Sequence, residues 1–298
     1  MDRIPADLFG GVAGADLEPL EFLLPGGVAL RRTYAHVMAH FILAFKRPAP
    51  GSHHPGPWKP ANAGLSFDVE VEIFVPGDLA LNDWFDSLNT IWWTAALLRL
   101  RVSPQIRVPV VSIDAFATLA QLKGDARVSV FETQQRALVE AVATPPRVLG
   151  ADLDWLASRW LSGGRLYREH ANFANAFMGF DQSIWTSAYG LGLVQLWGAF
   201  ELLFATSRYR KTTQLGSRIS AYLEPPGESR EALKRHIESL YDSRSDAAHG
   251  NPAGQGESFF ASYSLLKRVI LKIVEENYVL SVGDLERLSH QGAEHRVH

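Results

Sequence analysis

The sequence predicts an α+β protein, in which an N-terminal mixed α/β domain precedes an all-α helical bundle. Residues 28–45 and 65–75 are rich in β-branched and aromatic residues, whereas nearly every segment of the second half has helical periodicity. Thr144-Pro145-Pro146 separates the two parts, because consecutive prolines interrupt both helices and central strands. We therefore predict one domain over residues 1–147 and another over residues 148–298.

Alternation of side chains supports the strand over residues 65–75. Asp68, Glu70 and Glu72 alternate with apolar residues, so the period of two places the carboxylates on one face. We expect a solvated strand face or an edge protected by charge, rather than a pair of acid/base carboxylates. A helix is predicted over residues 81–100, with Asn82 as its N-cap, and a further strand over residues 105–113.

Helical periodicity after the prolines predicts a bundle of six helices separated by Gly- and Pro-containing breaks. The predicted helices are 151–162, 165–180, 183–206, 213–223, 228–247 and 257–280, and Gly163-Gly164 is expected to separate the first two. Residues 182–200 form an uncharged stretch of 19 residues. Because this stretch contains several polar side chains, we expect a buried core helix and no membrane span.

Composition restricts the possible chemistry. The chain has 298 residues, a formal net charge of -3 and no cysteine. These values exclude a protein that is basic throughout, as well as disulfides, thiolate catalysis and cysteine-ligated metals. The N-terminal residues are acidic and lack a basic segment followed by an apolar core, so we expect no signal peptide and a cytoplasmic protein.

The common signatures of phosphate-binding loops, dinucleotide folds, serine hydrolases and kinases do not occur. His36 and His40 are four residues apart, but we expect a strand there and no metal site. His53-His54 lies in a Pro/Gly-rich segment that we interpret as a solvated loop. Trp58, in the same segment, is a candidate for exposed recognition.

The segment IESLYDSRSDAAHGNP, residues 237–252, has the strongest functional pattern. It predicts a helix that ends at His249-Gly250, with Pro252 preventing continuation. Arg244 and His249 are five residues apart, which separates them by about 140° around an ideal helix. Two copies facing each other across a dimer axis would bring both residue types together. The spacing also fits a capping histidine near the negative end of a helix, with Arg244 paired to Asp242.

Further residues give this half a family resemblance. Tyr241-Asp242-Ser243-Arg244-Ser245-Asp246-Ala247-Ala248-His249-Gly250 resembles the Y-x-x-R-S-x-x-x-H-G motif of Apea-like HEPN (higher eukaryotes and prokaryotes nucleotide-binding) domains. Leu196-Trp197-Gly198-Ala199-Phe200-Glu201-Leu202-Leu203-Phe204 resembles the L-W-x-A-L-E-x-L-F helix of the same branch, with Phe200 in place of leucine. The resemblance covers roughly residues 148–282.

The resemblance implies a homodimeric helical bundle with a composite site and an endoribonuclease that uses neither metal nor cofactor. Arg244 and His249 occupy the positions of the R-x4-H catalytic pair. Such a histidine, with an ordinary pKa of about 6.5, can accept a proton from a ribose 2′-OH. The guanidinium can hold the scissile phosphate through its planar fork. The products would be a 2′,3′-cyclic phosphate and a 5′-OH.

Several residues are expected to support this pair. Glu201, at the acidic position of the motif helix, needs a partner if it is buried, and we predict Arg244. Tyr241, Ser245 and Asp246 complete the supporting set. Residues 206–220 contain four basic and no acidic side chains, and these are candidate RNA or phosphate contacts: Arg208, Arg210, Lys211 and Arg218. A solvated basic loop is the alternative for this segment.

Three functions remain open from the sequence. The first is an RNA-cleaving effector of prokaryotic defence or toxin type, with residues 1–147 as a sensor or regulatory domain. The second is a non-catalytic nucleotide- or RNA-binding module, because Ser245 follows the arginine where many active members have Asn, Asp or His. The third is a helical half that serves only for dimerisation.

Overall fold

The computed structural model shows a sheet in the N-terminal part and helices in the C-terminal part, which confirms the α+β class. It describes residues 6–39, 42–44, 50–51, 59–61, 65–79, 85–132, 145–186, 188–204, 211–248 and 254–291. The strands are β1 (Leu8–Ala13), β2 (Asp16–Leu17), β3 (Glu21–Leu23), β4 (Ala29–Ala39), β5 (Ile42–Ala44), β6 (Lys59–Ala61), β7 (Leu65–Val75), β8 (Arg107–Ser112), β9 (Val128–Val130) and β10 (Arg147–Val148). The helices are α1 (Ser87–Arg101), α2 (Gly150–Glu169), α3 (Ala171–Ser183), α4 (Tyr189–Phe204), α5 (Lys211–Leu223), α6 (Glu228–Ala248), α7 (Gln255–Glu276) and α8 (Val282–Gln291).

The main sheet has six antiparallel strands in the order β3-β4-β7-β1-β8-β9. Its two long strands, β4 and β7, coincide with the two segments predicted from β-branched and aromatic residues. They pair antiparallel, and Leu30 lies opposite Ile73 while His36 lies opposite Asp68. The predicted strand over residues 105–113 is present as β8.

The carboxylate face of β7 is only partly solvated. Asp68 and Glu70 are exposed as expected, but Glu72 is buried, so the expectation of a solvated face is wrong at this position. The buried Glu72 carboxylate accepts a hydrogen bond from the backbone N–H of Phe116 at 3.1 Å. Burial raises the pKa of Glu72, while the Phe116 N–H and nearby Arg31 act to lower it.

Replacing Glu72 by glutamine is expected to stabilise the protein at neutral pH. The folded-state pKa lies above the unfolded value, so the folded protein holds this proton more tightly. Stability is therefore lost as the pH rises from the ordinary value of 4.5 through the folded pKa. Urea unfolding should show a gain for Glu72→Gln at pH 7 that disappears below about pH 4. Glu70→Gln, which changes an exposed residue on the same strand, is the control. If both variants changed the free energy of unfolding at pH 7 equally, burial of the Glu72 carboxylate would not be costly.

One face of the sheet is covered by α1. The helix begins after Asp86, whose carboxylate accepts a hydrogen bond from the Asn89 N–H at 2.7 Å, as an N-cap does. The predicted cap, Asn82, lies outside the described residues, but the prediction of a helix over residues 81–100 is wrong at Phe85 and Asp86, which precede the helix. From Thr90 to Leu100 every α1 residue except Trp92 is buried, because the helix lies between the sheet and the other helices.

Gly10, in central strand β1, is placed where α1 approaches the sheet closely. A Cβ at Gly10 would lie 2.6 Å from the Ile91 Cγ2 and 3.3 Å from the Val108 Cγ1. Gly10→Ala is therefore expected to lower the free energy of unfolding by about 1–3 kcal/mol through overpacking. Gly124→Ala, where a Cβ would meet nothing within 4 Å, is the matched control for urea or thermal unfolding. A Gly10→Ala protein as stable as this control would show that the close approach is absent.

The helical half differs from the prediction at the break after α2, at the start of α4 and at an additional last helix. The expected break at Gly163-Gly164 is wrong, because α2 continues to Glu169 and the chain turns at His170. Gly163 serves packing instead: a Cβ there would lie 3.2 Å from the Trp93 Cζ2. Helix α8 was not predicted. Its start is a capping box, in which Ser281 N–H donates to Asp284 Oδ2 at 2.7 Å and Asp284 N–H donates to Ser281 Oγ at 3.2 Å.

The sheet half and the helical half share one core of buried side chains. Trp93 of α1 donates from its indole nitrogen to the Trp160 carbonyl at 3.0 Å, and Trp160 donates in turn to Thr94 Oγ1 at 3.0 Å. The chain passes from sheet to helices at β10, which pairs in parallel with β2. Residue 147 therefore marks a change of secondary structure within a continuous core.

The uncharged stretch over residues 182–200 does not form one long helix. It includes the end of α3, a turn and most of α4, where Leu193, Leu196, Trp197 and Phe200 are buried. Within the described ranges, no helix combines the length and the apolar character needed to cross a membrane.

Candidate active site

The structure places four of the predicted site residues together where α4, α5 and α6 meet. Glu201 lies near the C-terminal end of α4, Lys211 is the first residue of α5, and Tyr241 and Arg244 lie three apart on α6. Residues three apart on a helix share a face, so both α6 side chains can reach Glu201. These four residues are called the Glu201 cluster below.

Glu201 is the centre of the cluster. Its Oε2 accepts a hydrogen bond from the Lys211 Nζ, and its Oε1 accepts one from the Tyr241 hydroxyl at 3.1 Å. An Arg244 terminal nitrogen lies 3.8 Å from the same Oε1. The predicted pairing of Glu201 with Arg244 is thus present, and Lys211 is a second, closer partner. With two cations and one carboxylate, the three charged side chains carry a net charge of +1.

Arg244 is held in place but remains accessible. Its side chain is 28% exposed, and its guanidinium carbon lies 5.8 Å from the centre of the Tyr241 ring. The Arg244 Nε is buried and has no hydrogen-bond acceptor among the described residues. A buried donor without a partner costs about 1–3 kcal/mol, so this guanidinium has unused capacity for an acceptor.

Tyr241 connects the cluster to the core. Its ring meets the buried Trp197 edge-on, with ring centres 5.2 Å apart, and Trp197 donates to the Ser262 Oγ of α7 at 3.2 Å. Burial and the negative charge of Glu201 raise the Tyr241 pKa. The phenol therefore stays protonated at neutral pH, so it acts as a hydrogen-bond donor to Glu201.

Arg218, another predicted phosphate contact, is only 5% exposed. It donates to the Phe204 carbonyl at 2.6 Å and so satisfies the C-terminal end of α4. Burial lowers the pKa of Arg218, against an opposing effect of Glu286. Arg218 therefore stabilises the end of the helix that carries Glu201. Because its side chain is buried, it is not among the RNA contacts that we propose.

The other predicted site residues are separate from these contacts or lie outside the described residues. Ser245 is half-buried and Asp246 is exposed, both near the end of α6. His249 follows Ala248, the last residue of α6, and falls in the segment 249–253 outside the described residues. Arg208 and Arg210 belong to residues 205–210, which are also outside them.

The histidine pair considered for a metal site lies on the sheet. His36 is in β4, as expected, and its Nδ1 lies 2.8 Å from the Asp68 Oδ1 on β7. His40, His53-His54 and Trp58 lie outside the described residues. Among the residues that the structure describes, no group of three or more His, Asp or Glu side chains is arranged to hold a metal ion.

Sequence reasoning missed a buried ion network between the two halves. Arg99 of α1 binds Asp181 of α3 through two hydrogen bonds, at 2.6 and 2.8 Å, and Glu132 at 3.0 Å. Burial of Arg99 acts to lower its pKa, but the charges of Asp181 and Glu132 outweigh this and raise it. The sequence contains a signal for this network. Arg99 is the only charged residue in the apolar segment WWTAALLRL, and Asp181 is the only one in FMGFDQSIW. A single charge in such a segment indicates a buried side chain that needs a partner.

Comparison with known proteins does not assign the chain to a family. No family model matches it, and searches of curated proteins and of solved structures gave no match.

Proposed function

We propose that the protein is a metal-independent endoribonuclease of HEPN type, in which Arg244 and His249 act on RNA. The main support is the position of Arg244, which Glu201 and Tyr241 orient while part of its side chain faces solvent. A guanidinium held in this way can donate to the oxygens of a phosphate without first losing much conformational freedom.

The local charge suits a phosphate ligand. Lys211 and Arg244 flank a single carboxylate, and the resulting net positive charge attracts an RNA backbone. Arg208 and Arg210 precede Lys211 in the sequence, and we include them as backbone contacts. In this proposal Glu201 and Tyr241 are positioning residues, because they act through Arg244.

The chemistry follows from the two residue types. His249, unprotonated, removes the proton of a ribose 2′-OH, and the 2′-oxygen attacks the adjacent phosphorus. Arg244 stabilises the charge that develops on the phosphate oxygens. The bond from phosphorus to the 5′-oxygen then breaks and this oxygen takes up a proton from solvent, leaving a 2′,3′-cyclic phosphate and a 5′-OH, while His249 releases its proton to solvent.

A homodimer is part of the proposal. Positions five apart point about 140° away from each other on an ideal helix, so one α6 does not direct both side chains to one phosphate. A second copy could complete the site with its own histidine. The resemblance also suggests a cytoplasmic defence or toxin-like effector, in which residues 1–147 sense a trigger or regulate cleavage.

A non-catalytic nucleotide- or RNA-binding module is the second candidate. It is favoured by the engagement of Arg244 with Glu201 and by Ser245 directly after the arginine. This candidate predicts saturable RNA binding that Arg244→Ala removes, without cleavage of any RNA by the unchanged protein.

Arg244→Ala is expected to reduce RNA cleavage by about 100- to 1,000-fold, the usual effect of removing one group that stabilises transition-state charge. Cleavage of a long single-stranded RNA would be measured in EDTA. Arg235→Ala removes an exposed arginine from the same helix and should leave the rate unchanged. Undiminished cleavage by the Arg244→Ala protein would overturn the proposed role of this arginine.

A further inference from the structure

A cleft lies where the sheet half meets the helical half, around the buried ion network of Arg99. Its volume is about 470 Å³, within the range of small-molecule sites. Residues of α1, of the segment after β9, of α3, of α4 and of the turn between these two helices form its walls. Its aromatic lining consists of Trp92, Phe131 and Trp185. Its polar lining consists of Glu132, Asp181, Gln182, Thr186 and Gln195.

The acidic groups of this cleft are already engaged within the protein. Asp181 accepts two hydrogen bonds from Arg99 and one from the Trp92 indole at 3.2 Å. Glu132 accepts one from Arg99 at 3.0 Å and one from the Val108 N–H at 2.5 Å. Every carboxylate oxygen of Asp181 and Glu132 therefore has a hydrogen-bond donor within the protein. These two side chains are held in place and do not need a ligand as a partner.

The two glutamines differ from these acidic groups. Gln182 is exposed at the end of α3, and Gln195 is half-buried on the first half of α4. Among the described residues, neither side-chain amide makes a hydrogen bond with another part of the protein. Each amide offers one acceptor and two donors, which suits a ligand edge that carries both kinds of group.

Charge and shape then narrow the class of ligand. Arg99, Asp181 and Glu132 together carry a net charge of -1, and no Lys or Arg is among the described lining residues. This disfavours an anion such as phosphate. Indole and phenyl rings favour a flat ligand, and glutamine amides pair with the donor and acceptor edge of bases such as adenine.

We propose that this cleft binds an uncharged nucleobase, presented as a nucleoside. Trp92 and Trp185 supply aromatic contact, and Gln182 and Gln195 supply hydrogen bonds to the base edge. The inference does not rest on the proposed nuclease chemistry, because none of these residues belongs to the Glu201 cluster. Both sites use residues of α4, since Gln195 and Glu201 lie about 9 Å apart along the axis of this helix.

The test is calorimetric titration of the full-length protein with adenosine, guanosine, cytidine and uridine, each alone. Ribose 5-phosphate and choline serve as the phosphate and cation probes. At least one nucleoside should bind saturably, and the other two probes should not. Gln182→Ala and Gln195→Ala are each expected to weaken that binding by about 5- to 100-fold, as expected for loss of a base-edge contact.

Two control variants distinguish the loss of a cleft contact from general effects of substitution. Gln121→Ala removes an exposed glutamine that does not line the cleft and should bind as the unchanged protein does. Asp154→Ala removes an exposed carboxylate from α2 and should also bind normally. Nucleoside binding is measured without RNA cleavage, so a failed nuclease proposal leaves this test intact. The proposal is overturned if no nucleoside binds, if only choline or ribose 5-phosphate binds, or if both cleft glutamine variants retain full affinity.

Discussion

Replacing His249 by alanine is expected to reduce RNA cleavage by about 100- to 10,000-fold, the usual contribution of a positioned general base. The reason is that a 2′-OH attacks phosphorus slowly unless a base removes its proton. A histidine is suited to this at neutral pH, because its ordinary pKa of about 6.5 leaves most of it unprotonated. Initial rates in EDTA, with equal protein concentrations and verified folding, are the measurement.

His236→Ala is the matched control for this experiment. His236 is exposed on the same helix, α6, and lies five residues before the motif begins at Tyr241. Its replacement should leave the rate within about a factor of two of the unchanged protein, since His236 has no part in the proposed mechanism and an exposed substitution changes stability by only about 0.5 kcal/mol. Equal rates for the His249→Ala and His236→Ala proteins would remove His249 from the proposed mechanism.

Replacing Asp181 by alanine is expected to lower the free energy of unfolding by about 3–5 kcal/mol. Arg99 is 1% exposed, and Asp181 supplies two of its hydrogen bonds. Without Asp181 the buried guanidinium keeps its charge but loses its closest partner. Because this pair joins α1 to α3, the loss should affect the sheet half and the helical half together in one urea transition.

Two further variants separate the ion pair from general effects of substitution. Asp154→Ala removes an exposed carboxylate from α2 and should change stability by less than about 0.5 kcal/mol. Arg99→Met combined with Asp181→Leu replaces both charges by apolar side chains and should cost less than Asp181→Ala alone. Similar stabilities of the Asp154→Ala and Asp181→Ala proteins would contradict the importance of this contact.

The sequence predicted the fold class because its periodicity and its breaks are local signals. Alternation identified β7, and helical spacing with Pro and Gly breaks located most of the helices. Gly163 shows the limit of local rules, since a glycine that normally weakens a helix lies here against the indole of Trp93, where a Cβ would make a tight contact. That indole is distant in sequence, so only the tertiary structure explains the uninterrupted α2.

The candidate site was predictable only in part. The pairing of Glu201 with Arg244 is present as expected, but Lys211 was predicted as a phosphate contact and is found paired with the same carboxylate. Arg218 shows a similar limit: a count of basic residues does not distinguish a surface cation from one that satisfies a helix end. The burial of Glu72 could not be predicted from the strand alone. The residues that bury its carboxylate include Phe116, which lies 44 positions later in the sequence.

The central claim is RNA cleavage by 2′-OH attack at the site of Arg244, and the chemistry of the product ends tests it most directly. The purified protein would be incubated with a defined single-stranded RNA in EDTA, and the new termini identified by mass spectrometry. The proposed mechanism requires fragments with 2′,3′-cyclic phosphate and 5′-OH ends, produced without added metal. Fragments with 3′-OH and 5′-phosphate ends, or no cleavage of RNA that the protein binds, would contradict it.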